Sequence, residues 1–402
     1  MVRLPGRSLL TRPLPRPPGL LRLGPLRAEA FSSRLHDERV AARLGLWLGI
    51  TFSICFVTGL ISHGIQHPPS WFPWPSRPVN LYRFTQGLHV LTGLASIPLL
   101  LAKLWTVYPK LWEWPPLRDV AHAVERASLF VLVAGATFQL FTGLINIAYW
   151  YPFRFFFTTT HYWTAWITMG ALVVHVGTKI AVSRRALSRS SPDGPDGSDG
   201  SAEPGLSRRG LLTTVGLASA AIVAVFAGST VPGLRRLTLL APRRPDIGPQ
   251  GLPVNKTARA AKVVGTARDP AYRLTVGGAG ATTLSMSLDE LRAMPRTTSA
   301  LPIACVEGWS ATGVWTGVRL RDVLDRVGAR PDARVRVESL EKGGLYRSTT
   351  LNPAHARDPL TLLATELHGE ELDIDHGYPC RLITPNQPGV LQTKWVTRVT
   401  VL

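Results

Sequence analysis

Five apolar runs without a charged residue constrain the fold more than any other feature of this chain. They are residues 44–62, 84–102, 127–148, 155–178 and 210–234. A helix that spans a bilayer needs about 20 predominantly apolar residues, and a soluble core helix rarely stays uncharged over that length. The sequence therefore predicts five transmembrane helices in a multi-pass protein of the cytoplasmic membrane, with the lipid bilayer as its first partner.

The net charge of +19 is compatible with a nucleic-acid-binding protein or with a membrane protein. The excess arginines lie in the first 43 residues, around 103–118 and from 184 to 209, which are alternate connections between the apolar runs. Enrichment of Lys and Arg in alternate connections is the positive-inside pattern of membrane proteins. We therefore expect no nucleic-acid role, a cytoplasmic N-terminus, and residues 235–402 on the outer side of the membrane.

Composition divides the chain into five segments. Residues rich in Pro, Arg and Leu open the chain, and SSPDGPDGSDGSAEPG at 190–205 cannot bury enough apolar surface to fold. We predict a disordered basic cytoplasmic tail (1–40), a four-helix membrane domain (41–184), a disordered linker (185–206), a fifth transmembrane helix (207–234) and a C-terminal domain (250–402).

The segment SRRGLL at 207–212 precedes the fifth apolar run. Paired arginines ahead of a modest apolar segment resemble a twin-arginine export signal. Such a route carries folded proteins and would suit a domain that receives a buried cofactor before export. The alternative is ordinary cytoplasmic positive charge, and the sequence leaves both interpretations open.

The pattern changes from about residue 250 onward. Strands are predicted at 272–278, 334–340, 380–385 and 394–402, and short helices at 288–294 and 320–328. Strands and helices that mix without a βαβ rhythm are typical of the α+β class. The predicted fold is a membrane α-helical bundle, with four helices plus a fifth tethering helix, followed by an α+β domain.

Four histidines lie in or at the ends of the apolar runs, namely His63, His89, His161 and His175. Ionisable groups inside a membrane are costly and indicate function, and imidazole is a common haem ligand. His161 and His175 return to nearly the same face of one helix, about 21 Å apart along its axis. The alternative is that these side chains form hydrogen bonds across helices.

The layout of four histidine-bearing helices resembles the bacterial cytochrome-b-type membrane subunits that carry electrons between quinone and haem. The resemblance implies one or two b-type haems and a quinone or quinol partner. An outer haem could be held by His89 with His161 or His63. An inner haem would use His175, for which His122 is the available partner on that side.

Three cysteines are present, at positions 55, 305 and 380. Cys55 lies inside the first apolar run, where a buried thiol behaves as a small hydrophobe. Cys305 and Cys380 fit no zinc spacing. A disulfide between them is one possibility, and a role for Cys305 in its local motif is the other.

The motif around Cys305 reads PIACVEGWSATGVWTGVRLRDVL at 302–324, and it is followed by HGYPCRLITP at 376–385 and KWV at 394–396. In this order and with these spacings the three segments resemble the sulfite-oxidase-fold molybdenum enzymes. The resemblance covers residues 250–402 and implies a molybdenum-molybdopterin cofactor, with the thiolate of Cys305 as the protein ligand of the metal.

The resemblance also implies which residues contact the pterin, namely Asn255, Thr257, His376, Arg381, Gln392, Thr393 and Lys394. A pterin phosphate needs cations and backbone donors, for which Arg381 and Lys394 are the natural pair. Asn255 and Thr257 have an alternative interpretation as residues of an ordinary turn.

The loop VEGWS departs from the sulfite oxidases, because Glu307 adds negative charge and Trp309 adds bulk where an anionic substrate is gathered. It is closer to the periplasmic reductases of the family, whose best-known member reduces protein-bound methionine sulfoxide. We therefore expect an oxygen-atom-transferring oxidoreductase that reduces a small-molecule or protein sulfoxide with quinol electrons delivered through haem. Sulfite oxidation in the opposite direction and a non-catalytic membrane-tethered binding domain are the alternatives.

Overall fold

The computed structural model describes residues 31, 33, 35–112, 119–188, 206–240 and 243–402. Most of the predicted tail, part of the second cytoplasmic connection and nearly all of the predicted linker lie outside the described residues. The chain forms two compact units. The first unit comprises Met1–Phe56, Thr92–Asn146 and Tyr151–Val223, and the second comprises Val57–Leu91, Ile147–Trp150 and Ala224–Leu402.

Five long helices account for the apolar runs. They are α1 (Glu38–Gln66), α2 (Leu81–Val107), α3 (Val120–Ile147), α4 (Phe157–Ser188) and α5 (Arg208–Ala227). Asp37 begins α1 by accepting hydrogen bonds from the N–H groups of Arg39 and Val40. All five helices are long and apolar enough to cross a membrane, so the predicted apolar helical region is confirmed.

Polar side chains inside the helices of the first unit find partners on neighbouring helices. Ser96 Oγ donates to Thr51 Oγ1 at 2.7 Å, and Ser219 Oγ donates to the Ala95 carbonyl at 3.0 Å. Lys103 Nζ donates to the Ala41 carbonyl at 2.6 Å. These contacts join α1, α2 and α5 and satisfy polar groups that lie within apolar helices.

The second unit contains a five-stranded sheet in the order β2-β1-β10-β5-β6. Its strands are β1 (Leu274–Gly278), β2 (Ala281–Met286), β5 (Val335–Ser339), β6 (Ser348–Leu351) and β10 (Val396–Val401). The pair β1–β10 is parallel, and the other pairs are antiparallel. Alternate residues of β1, β5 and β10 point into one apolar core, which explains the alternating pattern of these segments.

A second sheet carries the cysteine motif. It joins β3 (Arg296–Ala304), β4 (Ser310–Arg319), β7 (Leu362–Leu367) and β8 (Glu370–Glu371), and β9 (Arg381–Ile383) pairs with β7. Short helices α6 (Val264–Ala267), α7 (Leu288–Arg292), α8 (Leu320–Arg326) and α9 (Pro353–Ala356) connect the strands. The sheet-rich domain with short interspersed helices confirms the predicted fold class.

The connection between α1 and α2, residues 67–80, packs within the second unit. Trp74 Nε1 donates to the Asn386 carbonyl at 2.7 Å. Arg77 forms a two-pronged ion pair with Asp358, with Nε to Oδ2 and Nη2 to Oδ1 both at 3.0 Å. This connection is therefore bonded to the loops that precede β7 and follow β9.

Candidate functional site

The loop between β3 and β4, residues 305–309, is here named the cysteine loop. The N–H of Cys305 donates to the Trp309 carbonyl at 2.8 Å, and the N–H of Gly308 donates back to the Cys305 carbonyl at 3.0 Å. Gly308 has φ +90°, a conformation that favours glycine. This tight turn holds Cys305 almost completely buried, and burial raises the pKa of its thiol.

A small cavity opens beside Cys305. Its wall is formed by Pro253, Asn255, Ile303, Cys305, Trp309, Arg381, Gly389 and Lys394. Four of the predicted site residues, Cys305, Asn255, Arg381 and Lys394, therefore meet at one cavity. They come from the cysteine loop, the segment before α6, the start of β9 and the segment before β10.

Two cations face this cavity, the buried Arg381 and the partly buried Lys394. Arg381 lies over the Trp315 ring at 5.3 Å and donates from Nη1 to the His376 carbonyl at 3.1 Å. Lys394 Nζ donates to the carbonyls of Lys256 and Asp375, each at 2.8 Å. Burial lowers the pKa of Arg381 to about 9, and burial followed by repulsion from Arg381 lowers the pKa of Lys394.

Gly377 leaves room for the side chains of Arg381 and Lys394 next to each other. A Cβ atom at this position would lie 3.2 Å from the Cβ atoms of both Arg381 and Lys394, and its φ is +117°. A larger residue would be strained there and would push the two cationic side chains apart. The glycine of the HGYPCR segment thus has a structural role in the cation pair.

The remaining predicted pterin contacts lie around the cavity without lining it. His376 is buried and its Nε2 contacts the Pro249 carbonyl at 2.7 Å, while burial lowers its pKa to about 4. Thr257 Oγ1 accepts from the Ala260 N–H, as a turn residue does. Gln392 donates to the carbonyls of Thr384 and Gln387. Thr393 Oγ1 contacts Thr349 Oγ1 at 3.1 Å.

Glu307 does not present an unpaired negative charge, which corrects the expectation from the sequence. Arg243 Nε lies 3.2 Å from Glu307 Oε2, and Trp309 Nε1 donates to the same oxygen at 3.0 Å. The Arg243 guanidinium also lies over the Tyr149 ring at 4.5 Å. The charge of Glu307 is therefore balanced by a cation, and repulsion of an anionic substrate no longer follows from it.

Arg243 and Tyr149 were not predicted from the sequence. They lie in the segment after α5 and in the α3–α4 connection, and neither segment carries a recognisable motif. The Tyr149 hydroxyl donates to the Asn255 carbonyl at 3.1 Å, next to the cavity wall. The one signal in the sequence was that Arg243 is a charged residue just beyond the fifth apolar run. No motif near Arg243 connects it with Glu307.

The four candidate haem-ligand histidines have the following surroundings. His89 Nδ1 contacts Thr58 Oγ1 at 3.2 Å in the second unit. His161 Nδ1 contacts Thr142 Oγ1 at 3.0 Å in the first unit. The His63 ring lies 4.8 Å from the His67 ring. His175 lies within α4, and its carbonyl accepts from the Thr178 hydroxyl.

The domain family described as "Oxidoreductase molybdopterin binding domain" matches residues 261–402. This range contains the cysteine loop, both cavity cations and the two sheets. Residues 261–402 form a molybdopterin-binding oxidoreductase domain of the sulfite-oxidase type. The resemblance read from the three sequence segments is therefore confirmed.

Two curated relatives of this chain match only parts of their own length. "Sulfite oxidase, mitochondrial" of Rattus norvegicus is 34% identical over 157 residues, covering 32% of this chain and 29% of that protein. "Putative protein-methionine-sulfoxide reductase subunit YedZ1" of Azospira oryzae is 34% identical over 125 residues, covering 31% of this chain and 47% of that protein. The chain thus spans less than half the length of either relative.

A solved structure, the sulfane dehydrogenase SoxCD from Paracoccus pantotrophus, covers 33% of this chain and 38% of its own at 24% identity. Its TM-score of 0.31 is too low to bear on the architecture.

The residues at the cavity fit a molybdopterin. Arg381 Nε has no hydrogen-bond partner among the described residues, although the side chain is only 3% exposed. A buried cation pair with lowered pKa values is stabilised by an anion, such as the pterin phosphate. The Cys305 thiol on the same wall is a soft ligand suited to a metal that also takes dithiolene sulfur.

Proposed function

We propose that this chain is a membrane-anchored molybdopterin oxidoreductase that reduces a sulfoxide-type substrate on the outer side of the cytoplasmic membrane. The observation that carries the proposal is the cavity where a buried cysteine thiol meets the buried Arg381 and the partly buried Lys394. The VEGWS loop, which resembles the methionine-sulfoxide reductases, and the YedZ1 relative support the substrate class.

In this proposal Cys305 ligates the molybdenum, and Arg381 and Lys394 pair with the pterin phosphate. Asn255 lies at the cavity wall, and His376, Thr257, Gln392 and Thr393 hold the surrounding backbone. The bound cofactor supplies two-electron oxygen-atom transfer. Tyr149 and Trp309 give the neighbourhood of the cysteine loop aromatic walls, and the Arg243–Glu307 pair keeps it close to neutral, which suits an uncharged sulfoxide.

The overall reaction consumes two electrons and two protons for each sulfoxide. The sulfur–oxygen bond breaks, sulfur regains its lone pair as a sulfide, and the oxygen leaves as water. A quinol can supply both electrons and release two protons as it becomes a quinone. The presence of five apolar helices on the same chain supports a reductant from the membrane.

We further propose that His63, His89, His161 and His175 provide the ligands for one or two b-type haems that carry these electrons. Support comes from Thr58 and Thr142, which contact Nδ1 of His89 and His161. A ligating histidine is usually oriented by a hydrogen bond at its other ring nitrogen. The remaining predictions, including the twin-arginine signal, the domain boundaries and the topology, stay predictions.

The first test compares wild type with Cys305→Ser after purification in detergent. We expect wild type to contain molybdenum and a haem absorbance band, and to oxidise quinol with methionine sulfoxide as acceptor. Cys305→Ser should lose turnover and keep its haem band and its unfolding midpoint, because Ser is nearly isosteric with the buried Cys. Unchanged turnover in Cys305→Ser would contradict metal ligation by this residue.

Sulfite oxidation is the second candidate, with electrons passing to the membrane helices. The 34% identity to a mitochondrial sulfite oxidase favours it, and so does Arg243, which balances Glu307. Steady-state assays with sulfite and with methionine sulfoxide separate the two directions. Turnover with sulfite alone would replace sulfoxide reduction as the proposed activity.

A further inference from the structure

A chain of buried hydrogen bonds runs along the ends of α1 and α2 that belong to the second unit. Gln66 Nε2 donates to Ser62 Oγ at 3.2 Å, and Ser62 Oγ lies 3.3 Å from the Tyr82 hydroxyl. Tyr82 donates to Gln86 Oε1 at 3.4 Å, and Gln86 Nε2 donates to the Val306 carbonyl at 3.3 Å. Ser62, Gln66, Tyr82 and Gln86 are here named the helix-end network.

The orientation of the Gln86 amide follows from its partners. A backbone carbonyl only accepts, so the group that faces Val306 must be the amide nitrogen. The amide oxygen then accepts from Tyr82, and both ends of the side chain are used. Gln86 is buried within an apolar helix, where an unpaired amide is destabilising. The network therefore holds the carbonyl of Val306 in a defined position.

Two further contacts join the cysteine loop and the residue after it to residues in or next to the helices. The Ser310 N–H donates to the Ser229 carbonyl at 2.7 Å, just beyond α5. Gly308 lies against Val90 of α2, because a Cβ atom at position 308 would lie 3.1 Å from a Val90 methyl group. The cysteine loop is thus contacted at Val306 and Gly308, and Ser310, which follows the loop, is bonded as well.

The helix turn that bonds Val306 also carries His89. Residues three apart on an α-helix lie on the same side, about one turn from each other. Val306 directly follows Cys305 in the chain. His89 is therefore connected with Cys305 in three steps. These are one turn of α2 to Gln86, the hydrogen bond from Gln86 to the Val306 carbonyl, and the peptide bond that joins Val306 to Cys305.

We propose that Gln86 is a positioning residue that fixes the cysteine loop on the α2 turn of His89 and provides the bonded electron route between them. This rests on the proposed function, in which Cys305 ligates molybdenum and His89 ligates haem. With both groups bound, the haem would supply single electrons, itself being oxidised, and the molybdenum cofactor would accept them. Two such transfers supply the two electrons that each sulfoxide consumes.

The experiment compares Gln86→Leu and Gln86→Glu with the matched control Gln66→Leu, all in the full-length protein in detergent. Gln86→Leu removes the donor to Val306, and Gln86→Glu replaces it with an acceptor of the same shape. Gln66→Leu cuts the same network at its far end, where Gln66 accepts from the Tyr346 hydroxyl. Either Gln86 variant suffices if the other fails to fold.

Three measurements are made on each protein: molybdenum and haem content, the EPR spectrum of the partly reduced molybdenum, and haem reoxidation after dimethyl sulfoxide is added to the reduced protein. We expect the Gln86 variants to keep both contents, shift the EPR spectrum and slow haem reoxidation several-fold. Gln66→Leu should match wild type in all three.

Normal cofactor contents with an unchanged EPR spectrum and unchanged reoxidation in the Gln86 variants would overturn the inference. A wild-type protein that lacks haem would instead defeat the proposed electron carrier and, with it, the route. In that case the EPR comparison still decides whether Gln86 positions the cysteine loop.

Discussion

Thr142 holds the ring of His161 in place. Its hydroxyl lies 3.0 Å from His161 Nδ1 and also contacts the Phe138 carbonyl at 2.7 Å. A hydrogen bond at Nδ1 orients the ring and leaves Nε2 as the nitrogen that would face a metal. This contact between α3 and α4 supports the proposed ligation by His161.

If His161 ligates a haem as proposed, we expect Thr142→Val to weaken haem binding about 10–100-fold, because the ring loses the partner that orients it. Thr142→Ser keeps the hydroxyl and should behave as wild type. Haem titration of the apoprotein, followed by absorbance, gives the affinity. Equal affinity for wild type and Thr142→Val would remove Thr142 from any role in ligation.

At the residue scale, the sequence predicted the residues of the cavity wall better than the partners of the side chains in the cysteine loop. Cys305, Arg381 and Lys394 stand in three segments with specific motifs, and they meet as the resemblance implied. The sequence identified Glu307 as a charged residue of the cysteine loop. Its partner Arg243 could not be predicted, because an ion pair between segments distant in sequence leaves no local signal. Gln86 could have been noticed, since a carboxamide within an apolar run needs a partner.

At the scale of elements, hydrophobic patterning predicted the five long helices and the strands β1, β5, β9 and β10, but not β2, β3, β4, β6, β7 or β8. The run 84–102 lies inside α2, which extends to Leu81 and Val107 because polar residues at both ends find partners. The segments at 272–278, 334–340 and 394–402 contain β1, β5 and β10. Patterning could not show that the helix ends hold the cysteine loop, because those contacts depend on tertiary structure.

The α1–α2 connection is held by an ion pair in which the carboxylate is buried and the arginine is half exposed. Arg77→Ala would leave Asp358 with fewer donors, so we expect the free energy of unfolding to fall by about 1–3 kcal/mol. The control is Arg330→Ala, which removes an exposed pair with Asp332 at 3.6 Å and should change little.

Thermal unfolding in detergent, with limited proteolysis of residues 67–80, measures both effects of Arg77→Ala. We expect a lower midpoint and faster cleavage of the connection in this variant. If Arg77→Ala and Arg330→Ala gave the same midpoint and the same cleavage rate, the Arg77–Asp358 pair would contribute nothing to anchoring.

At the scale of the whole molecule, buried His355 makes stability depend on pH. Burial lowers its pKa to about 4, partly opposed by the charge of Asp358. Its Nδ1 lies 2.9 Å from Asn352 Oδ1, and its Nε2 lies 3.1 Å from the Gln387 amide nitrogen. The neutral ring can donate from Nδ1 to Asn352 and accept at Nε2 from Gln387. A second proton, on Nε2, would face the N–H donor of the Gln387 amide.

The unfolded chain takes up a proton at the ordinary histidine pKa near 6.5, and the folded chain resists it until about pH 4. The stabilisation is therefore complete above pH 6.5 and declines as pH falls toward 4, by up to about 3 kcal/mol. Unfolding midpoints between pH 4 and 8 test this. His355→Asn should flatten the profile, and the exposed control His368→Asn should not; parallel profiles for wild type and His355→Asn would contradict the prediction.

Because β10 lies in the middle of its sheet, the sheet cannot be completed until this last strand has been synthesised. β10 lies between β1 and β5, both of which leave the ribosome before it. Until β10 is synthesised, its two neighbours keep unpaired edges, and Lys394, just ahead of it, is missing from the cavity wall. A complete cofactor site therefore cannot form until this last strand is made, whereas all five apolar helices are synthesised before it.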